Sequence, residues 1–222
     1  MPLIDLSPPL VDGQLAFPGD PCPTIEEIAS HDKSGYRLTR LCMTAHQGSH
    51  VDAPSHFVED GESIDKLPLE RFLGPARRID LREKDLDAQS ESLIADMKID
   101  ISRLRPYEEA FQPGARILLH TGWASMNYGQ TDYYAAGPEL TLDAARWIAD
   151  RKIGLLGLDF ASPSFEESDD VHRILLGSDP PIILLENLCH LENTPDRFTL
   201  IAFPLSLPGC EASPVRAVAI VD

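Results

Sequence analysis

Positive charge is scarce in this chain of 222 residues: 19 lysines and arginines stand against 36 aspartates and glutamates, for a formal charge of −17. Such a surface repels phosphate backbones and anionic lipid, so nucleic acid and membrane are poor partners and a small-molecule substrate is expected instead. Long apolar runs are also missing: none approaches the roughly 18 to 20 residues that span a bilayer. Met1 leads straight into Pro2-Leu-Ile-Asp5 with no basic leader, so the expected home is the cytoplasm. Cysteine is sparse and dispersed. Cys22, Cys42, Cys189 and Cys210 form no Cys-x-x-Cys pair, which argues against a zinc ribbon or a dithiol redox centre. Cys42 and Cys189 sit in apolar contexts and are expected to be small buried hydrophobes. There is no internal repeat, low-complexity tract or linker. With 43% hydrophobic and 25% charged residues, the chain reads as one globular domain, 1–222.

What the sequence does contain is a dense polar motif, His46-Gln-Gly-Ser-His50-Val-Asp52-Ala-Pro54-Ser-His56. The three imidazoles and the carboxylate all occupy even positions, so in an extended chain they would share one face. A straight strand rising about 3.3 Å per residue would still hold His46 and His56 roughly 33 Å apart, too far to meet at one ion. The segment must bend. Gly48 supplies backbone freedom and Pro54 opposes a helix through the motif. The expectation is a strand end breaking into a turn that folds the four groups round a cation. Burying them together without a cation or hydrogen bonds would cost several kcal/mol.

Elsewhere, residues 3–6, 36–44, 76–81, 116–123, 153–159, 182–186, 198–205 and 215–221 read as strands, with another near Ile99. The strand at 36–44 is expected to deliver the chain into the motif. Phe17-Pro-Gly-Asp20 reads as a type II turn, and 67–72 as a helical turn stopped by Gly74-Pro75. Helices are expected around 103–111 and at 169–176, and most clearly at 141–150, which has a Thr N-cap and apolar residues at helical spacing. The strand-helix-strand order from 116 to 159 predicts a βαβ crossover, hence a mixed α/β fold. Two groups far from the motif have ligand chemistry in apolar surroundings: His172 beside Leu175 and Leu176, and Glu186 ending a buried strand. For Glu186 the competing reading is a salt bridge to Arg216; for His172 it is an N-cap or surface role.

These residues in this order resemble the metal-dependent cyclase family, which includes bacterial kynurenine formamidases and isatin hydrolases. The resemblance rests on the motif itself, on Ile4-Asp-Leu-Ser-Pro8 with Phe17-Pro-Gly-Asp20, on Gly157-Leu-Asp159-x-x-Ser162, on His172, on Leu185-Glu-Asn-Leu188 and on Ser213-Pro-Val-Arg-Ala217. It implies a swivelling β/α/β fold with a mixed sheet, assembled as a homodimer or homotetramer. It also implies Zn, with room for two ions per chain, or Mn. By resemblance His46 and His50 bind one metal, Asp52 bridges, His172 and Glu186 complete a second position, His56 transfers protons, and Phe17 contacts substrate where many formamidases carry Trp. His31, His120 and His190 match no ligand position. Asp159 could orient a ligand histidine or cap the turn that follows it. The implied activity is metal-dependent amide hydrolysis, with an aryl formamide such as N-formylkynurenine as leading substrate. An isatin-type lactam hydrolase, a ring-closing cyclase and a metal-stabilised binding protein are the competing expectations.

Overall fold

A computed structural model describes residues 1–82, 94–95 and 97–221. Among the described residues thirteen strands form in chain order: β1 (Leu3–Asp5), β2 (Thr24–Ala29), β3 (Leu38–Cys42), β4 (His50–Asp52), β5 (Leu73–Asp80), β6 (Lys98–Ile99), β7 (Arg116–His120), β8 (Glu139–Leu140), β9 (Leu155–Leu158), β10 (Ile183–Glu186), β11 (Arg197–Ile201), β12 (Ala212–Pro214) and β13 (Val218–Ile220). Nine of them make one mixed sheet, ordered β1-β13-β11-β5-β7-β9-β10-β4-β12, in which β5, β7, β9 and β10 run parallel. A flat sheet would hold β13 and β12 about 34 Å apart, at about 4.8 Å per strand. Pro214 and Val218, which belong to those two strands, are only four residues apart and can be separated by at most about 15 Å. The sheet therefore curls until its edges approach. The link is pinned where they meet, Val215 N donating to Ser49 O and Leu6 N to Ala217 O, each at 2.9 Å.

The central strands are apolar throughout because both faces are covered. Ile117, Leu119, Leu156, Leu158 and Leu184 point into one core, while Leu118, Leu155, Ile183 and Leu185 point into the other. The first core is closed by two helices, α1 (Leu142–Ala149) and α2 (Ser168–Leu176). α1 starts as expected, Thr141 Oγ1 accepting from Ala144 N at 3.2 Å. It links β7 to its parallel neighbour β9, completing the βαβ unit. Among the described residues no helix is long and apolar enough to cross a membrane.

Several sequence expectations shift. The strand at 36–44 forms as β3, but it pairs with the unforeseen β2 in a separate two-stranded ribbon instead of running into the motif, and every β3 residue is exposed. The helical turn expected at 67–72 forms at Leu69–Phe72 and ends before Gly74-Pro75, but the following strand starts earlier than expected: β5 begins at Leu73 and runs through the pair. Arg78 N bonds toward β11, so by alternation the imide nitrogen of Pro75 faces the β7 side, where pairing begins only at Ala76. The run at 116–123 ends as a strand at His120, and Trp123–Asn127 is a short helix. The run at 215–221 is a strand only over Val218–Ile220, as β13; residues 215–217 belong to the link just described. Of the stretch before residue 112, Lys98–Ile99 is a strand and a short helix at Ile101–Leu104 passes into a 3-10 turn at Arg105–Ala110. Residues 83–93 and 96 lie outside the described residues.

Candidate metal centre

The motif bends in two steps. Gly48, at φ +67, turns the chain so that its carbonyl accepts from His50 Nδ1 at 2.9 Å. β4 carries His50 and Asp52, and a 3-10 turn at Pro54–His56 then folds back, His56 N donating to Ala53 O at 3.0 Å. Gly61 packs so tightly on this turn that a Cβ there would lie 2.7 Å from the Pro54 carbonyl carbon. As a result the His46 and His56 rings stand 4.2 Å apart and the His46 and His50 rings 5.0 Å. The bend is as expected. Its composition differs: a turn precedes the strand, and a 3-10 turn follows it.

Sheet register supplies the other half. β10 pairs antiparallel with β4, placing Glu186 opposite His50 and Leu184 opposite Asp52, and directly opposed residues project to the same face. His172 reaches that face from α2, with its Nδ1 2.7 Å from the carbonyl of Ser168 one turn back, and Phe57 stacks on its ring at 4.3 Å. His50, Asp52, His172 and Glu186 are all at most 4% exposed.

The electrostatics of this cluster are unresolved by the protein alone. Nδ1 of His50 and of His172 each donate to a carbonyl, which leaves a lone pair on Nε2 in the neutral ring. Those Nε2 atoms face carboxylate oxygens: His50 lies 3.4 Å from both Asp52 Oδ1 and Glu186 Oε2, and His172 lies 3.7 Å from Glu186 Oε1. Acceptors thus confront acceptors. Neither Asp52 oxygen, nor Glu186 Oε1, receives a hydrogen bond of good geometry. The groups pull positive charge toward themselves. At His46 burial works against protonation, yet Asp52, 3.0 Å from Nδ1, outweighs it and lifts the imidazole to about 9. At His172 burial is likewise overcome by Glu186, and the pKa rises. Asp52 is held below the usual carboxylate range in spite of its burial, chiefly by His50 and His46. His56 goes the other way: burial pushes it down to about 4, leaving it neutral at pH 7.

A divalent cation fits these donors. His46, Asp52 and His56 form one set whose ligand atoms lie within 4.8 Å of each other, and His50, Asp52 and Glu186 form a second; Asp52 belongs to both. His56 thus groups with His46 more closely than the resemblance implied. Phe17 lies outside the cluster. It opens the expected turn, with Asp20 N donating to Phe17 O at 2.9 Å and Gly19 at φ +100, and its ring is 38% exposed with no ring contact to the histidines. The loop itself reaches the motif through Gln47 Nε2, which donates to Leu15 O at 3.1 Å. Arg216 pairs with Asp5 and not with Glu186. Asp159 takes neither expected role: its carboxylate receives Thr121 N, Thr121 Oγ1 and Gly122 N, so it braces the end of β7 and not the turn that follows it. Cys189 is buried as expected, but Cys42, on the ribbon, is exposed. Two neighbours were not foreseen. Phe57 directly follows the motif and could have been noticed there. Glu211, 3.4 Å from His46 Nε2, carries no local signal and arrives only through the pairing of β12 with β4.

Comparison with known proteins gives the family. The family described as putative cyclase matches residues 4–164, and a kynurenine formamidase from Salinibacter ruber is 32% identical over 230 residues, covering 98% of this chain and 97% of that protein. This chain belongs to the cyclase family. A family structure described as a predicted metal-dependent hydrolase, from Bacillus stearothermophilus, superposes with a TM-score of 0.77 at 25% identity, covering 98% of this chain and 97% of the other. Isatin hydrolase A from Ralstonia solanacearum shares the fold, with a TM-score of 0.83 at 24% identity over 100% of this chain and 92% of its own. The formamidase likeness covers 98% of this chain and so extends past the matched family region, which ends at residue 164, ahead of His172 and Glu186.

Proposed function

We propose that this chain is a metal-dependent amidohydrolase whose substrate is an aryl formamide of the N-formylkynurenine type. Two observations converge on it. The facing of His50 and His172 Nε2 onto the unsatisfied oxygens of Asp52 and Glu186 supports a cation at their centre, and the full-length likeness to kynurenine formamidases supports the reaction. Nitrogen and carboxylate donors without sulfur suit Zn or Mn, and the sharing of Asp52 between two donor sets supports room for two ions. When bound, such an ion supplies Lewis acidity toward the carbonyl and a source of hydroxide at neutral pH.

The chain's own residues do the rest. His46, His50, Asp52, His172 and Glu186 hold the centre. His56, neutral at pH 7, accepts the proton of the attacking water as oxygen bonds to the formyl carbon, then returns it to the nitrogen as the C–N bond breaks, releasing formate and the aryl amine. Phe57 stacks on His172 and meets the His56 ring edge-on, restraining both imidazoles. Phe17, on the loop tied to Gln47, is assigned to the substrate side. A binding protein without turnover would favour a ligand set that closes round the ion, whereas the neutral His56 leaves a group free for proton transfer.

We also infer assembly as a homodimer or homotetramer. The β2–β3 ribbon is exposed along nearly its whole length, and an isolated two-stranded ribbon is marginal in water. As a test of the chemistry, metal-loaded protein should hydrolyse N-formylkynurenine or a simple aryl formamide faster than isatin. Turnover of isatin alone would move the substrate to lactams, and ring closure without hydrolysis would move the reaction to cyclisation. No turnover of any amide or lactam by the loaded protein would overturn the reading.

A further inference from the structure

Two histidines of the cluster, His50 and His172, are held from behind by a main-chain carbonyl on Nδ1, and both thereby turn Nε2 inward. His46 is reversed. Its Nδ1 points inward, 3.0 Å from Asp52 Oδ1, and behind its Nε2 stands no carbonyl but the Glu211 carboxylate, at 3.4 Å. A ligand imidazole needs a partner on its far nitrogen to fix which nitrogen carries the proton and how the ring is turned. For His46 the group in that place is Glu211. Its main chain is fixed there: Ala53 N donates to Glu211 O at 2.8 Å, and the next residue, Ala212, pairs with Asp52 across β12 and β4. The side chain is 43% exposed, so it contributes little to the core, and it pairs with His46.

We propose that Glu211 is a positioning residue for the metal centre: it accepts the Nε2 proton of His46 and so presents Nδ1 to the ion. The proposal rests on the metal reading above. It separates His46 from His50 and His172, because its orientation depends on one exposed side chain whereas theirs depends on backbone that no substitution removes.

Calorimetric titration of the metal-stripped full chain with Zn²⁺ tests it, together with nitrogen NMR of the His46 ring in the Zn²⁺-loaded protein. Loss of an orienting partner typically weakens metal binding by about 10- to 100-fold. Glu211→Ala should show that loss and a His46 ring no longer held with its proton on Nε2. Glu211→Gln, which keeps an accepting oxygen, should stay near wild type in both. Wild-type Zn²⁺ affinity in Glu211→Ala, or weakened affinity with the His46 tautomer unchanged, overturns the proposal. Absence of Zn²⁺ uptake by the wild-type chain would sink the metal reading itself. Equal melting temperatures of the metal-free proteins would confirm that the variants fold alike.

Discussion

Buried carboxylates at two places in this protein are finished in opposite ways. Asp159, past the end of β9, is fully covered, yet its oxygens receive Thr121 N at 3.0 Å, Thr121 Oγ1 at 2.6 Å and Gly122 N at 2.8 Å. Asp52 and Glu186, on the adjoining strands β4 and β10, are equally covered, but three of their four oxygens meet no hydrogen bond. Burial is therefore not what distinguishes a functional carboxylate here. The difference is the donor: a satisfied carboxylate is a structural bracket, and an unsatisfied one opposite imidazole lone pairs is half of a site whose other half is a cation. Even satisfied, Asp159 feels its burial, which lifts its pKa to about 6 against the pull of its hydrogen bonds.

Exchanging the two carboxylates by mutation should separate these roles most sharply at Asp52. Asp52→Ala should abolish metal uptake and reduce turnover to background, whereas Asp159→Ala should keep the metal; elemental analysis of both proteins reads the contrast. Next in size is His56→Ala, for which turnover should fall by about 10² to 10⁴ with metal content near wild type. If it loses metal as readily as Asp52→Ala, His56 is a ligand, as its place beside His46 and Asp52 allows. On the satisfied side, Asp159→Ala should destabilise the fold by about 1 to 3 kcal/mol, because Thr121 and Gly122 are left with unpaired donors. A thermal or urea melt reporting no change would break the comparison.

The last contrast concerns His120, whose Nε2 lies 4.0 Å from Asp159 Oδ2 and from Glu192 Oε2. Burial pushes this imidazole down from 6.5 to about 4. Between those values the unfolded chain binds a proton that the folded chain refuses. The His120 contribution is thus present above pH 6.5 and is lost as pH falls toward 4, by at most about 1.4 kcal/mol per pH unit. In metal-free protein, His120→Gln should flatten the acid limb of stability across that window; an unchanged slope would contradict the assignment.

How legible this was in the sequence follows from range. The motif and α1 could be read because their signals are local: even spacing, a glycine and a proline in one case, a cap and apolar periodicity in the other. The buried parallel strands could be read as apolar runs. His172 and Glu186 were visible as polar residues in apolar settings, although only the pairing of β10 with β4 shows that they face His50. The β2–β3 ribbon was half hidden because exposed faces leave no alternation in β2. Gly74-Pro75 marked the end of the helical turn but hid the start of β5, because a proline fits a strand when its nitrogen faces a side with no ladder bond to make. Glu211 could not be found at all: it sits in an ordinary polar turn, and its place beside His46 is set by strands far apart in the chain.

The central claim is that Asp52 and Glu186 are unsatisfied because a cation belongs between them and the histidines. The most direct test is metal analysis of wild-type protein, purified without chelator and then titrated with Zn²⁺ or Mn²⁺. The account predicts one or two ions per chain. A chain that carries none, and takes up none at saturating metal, would contradict it.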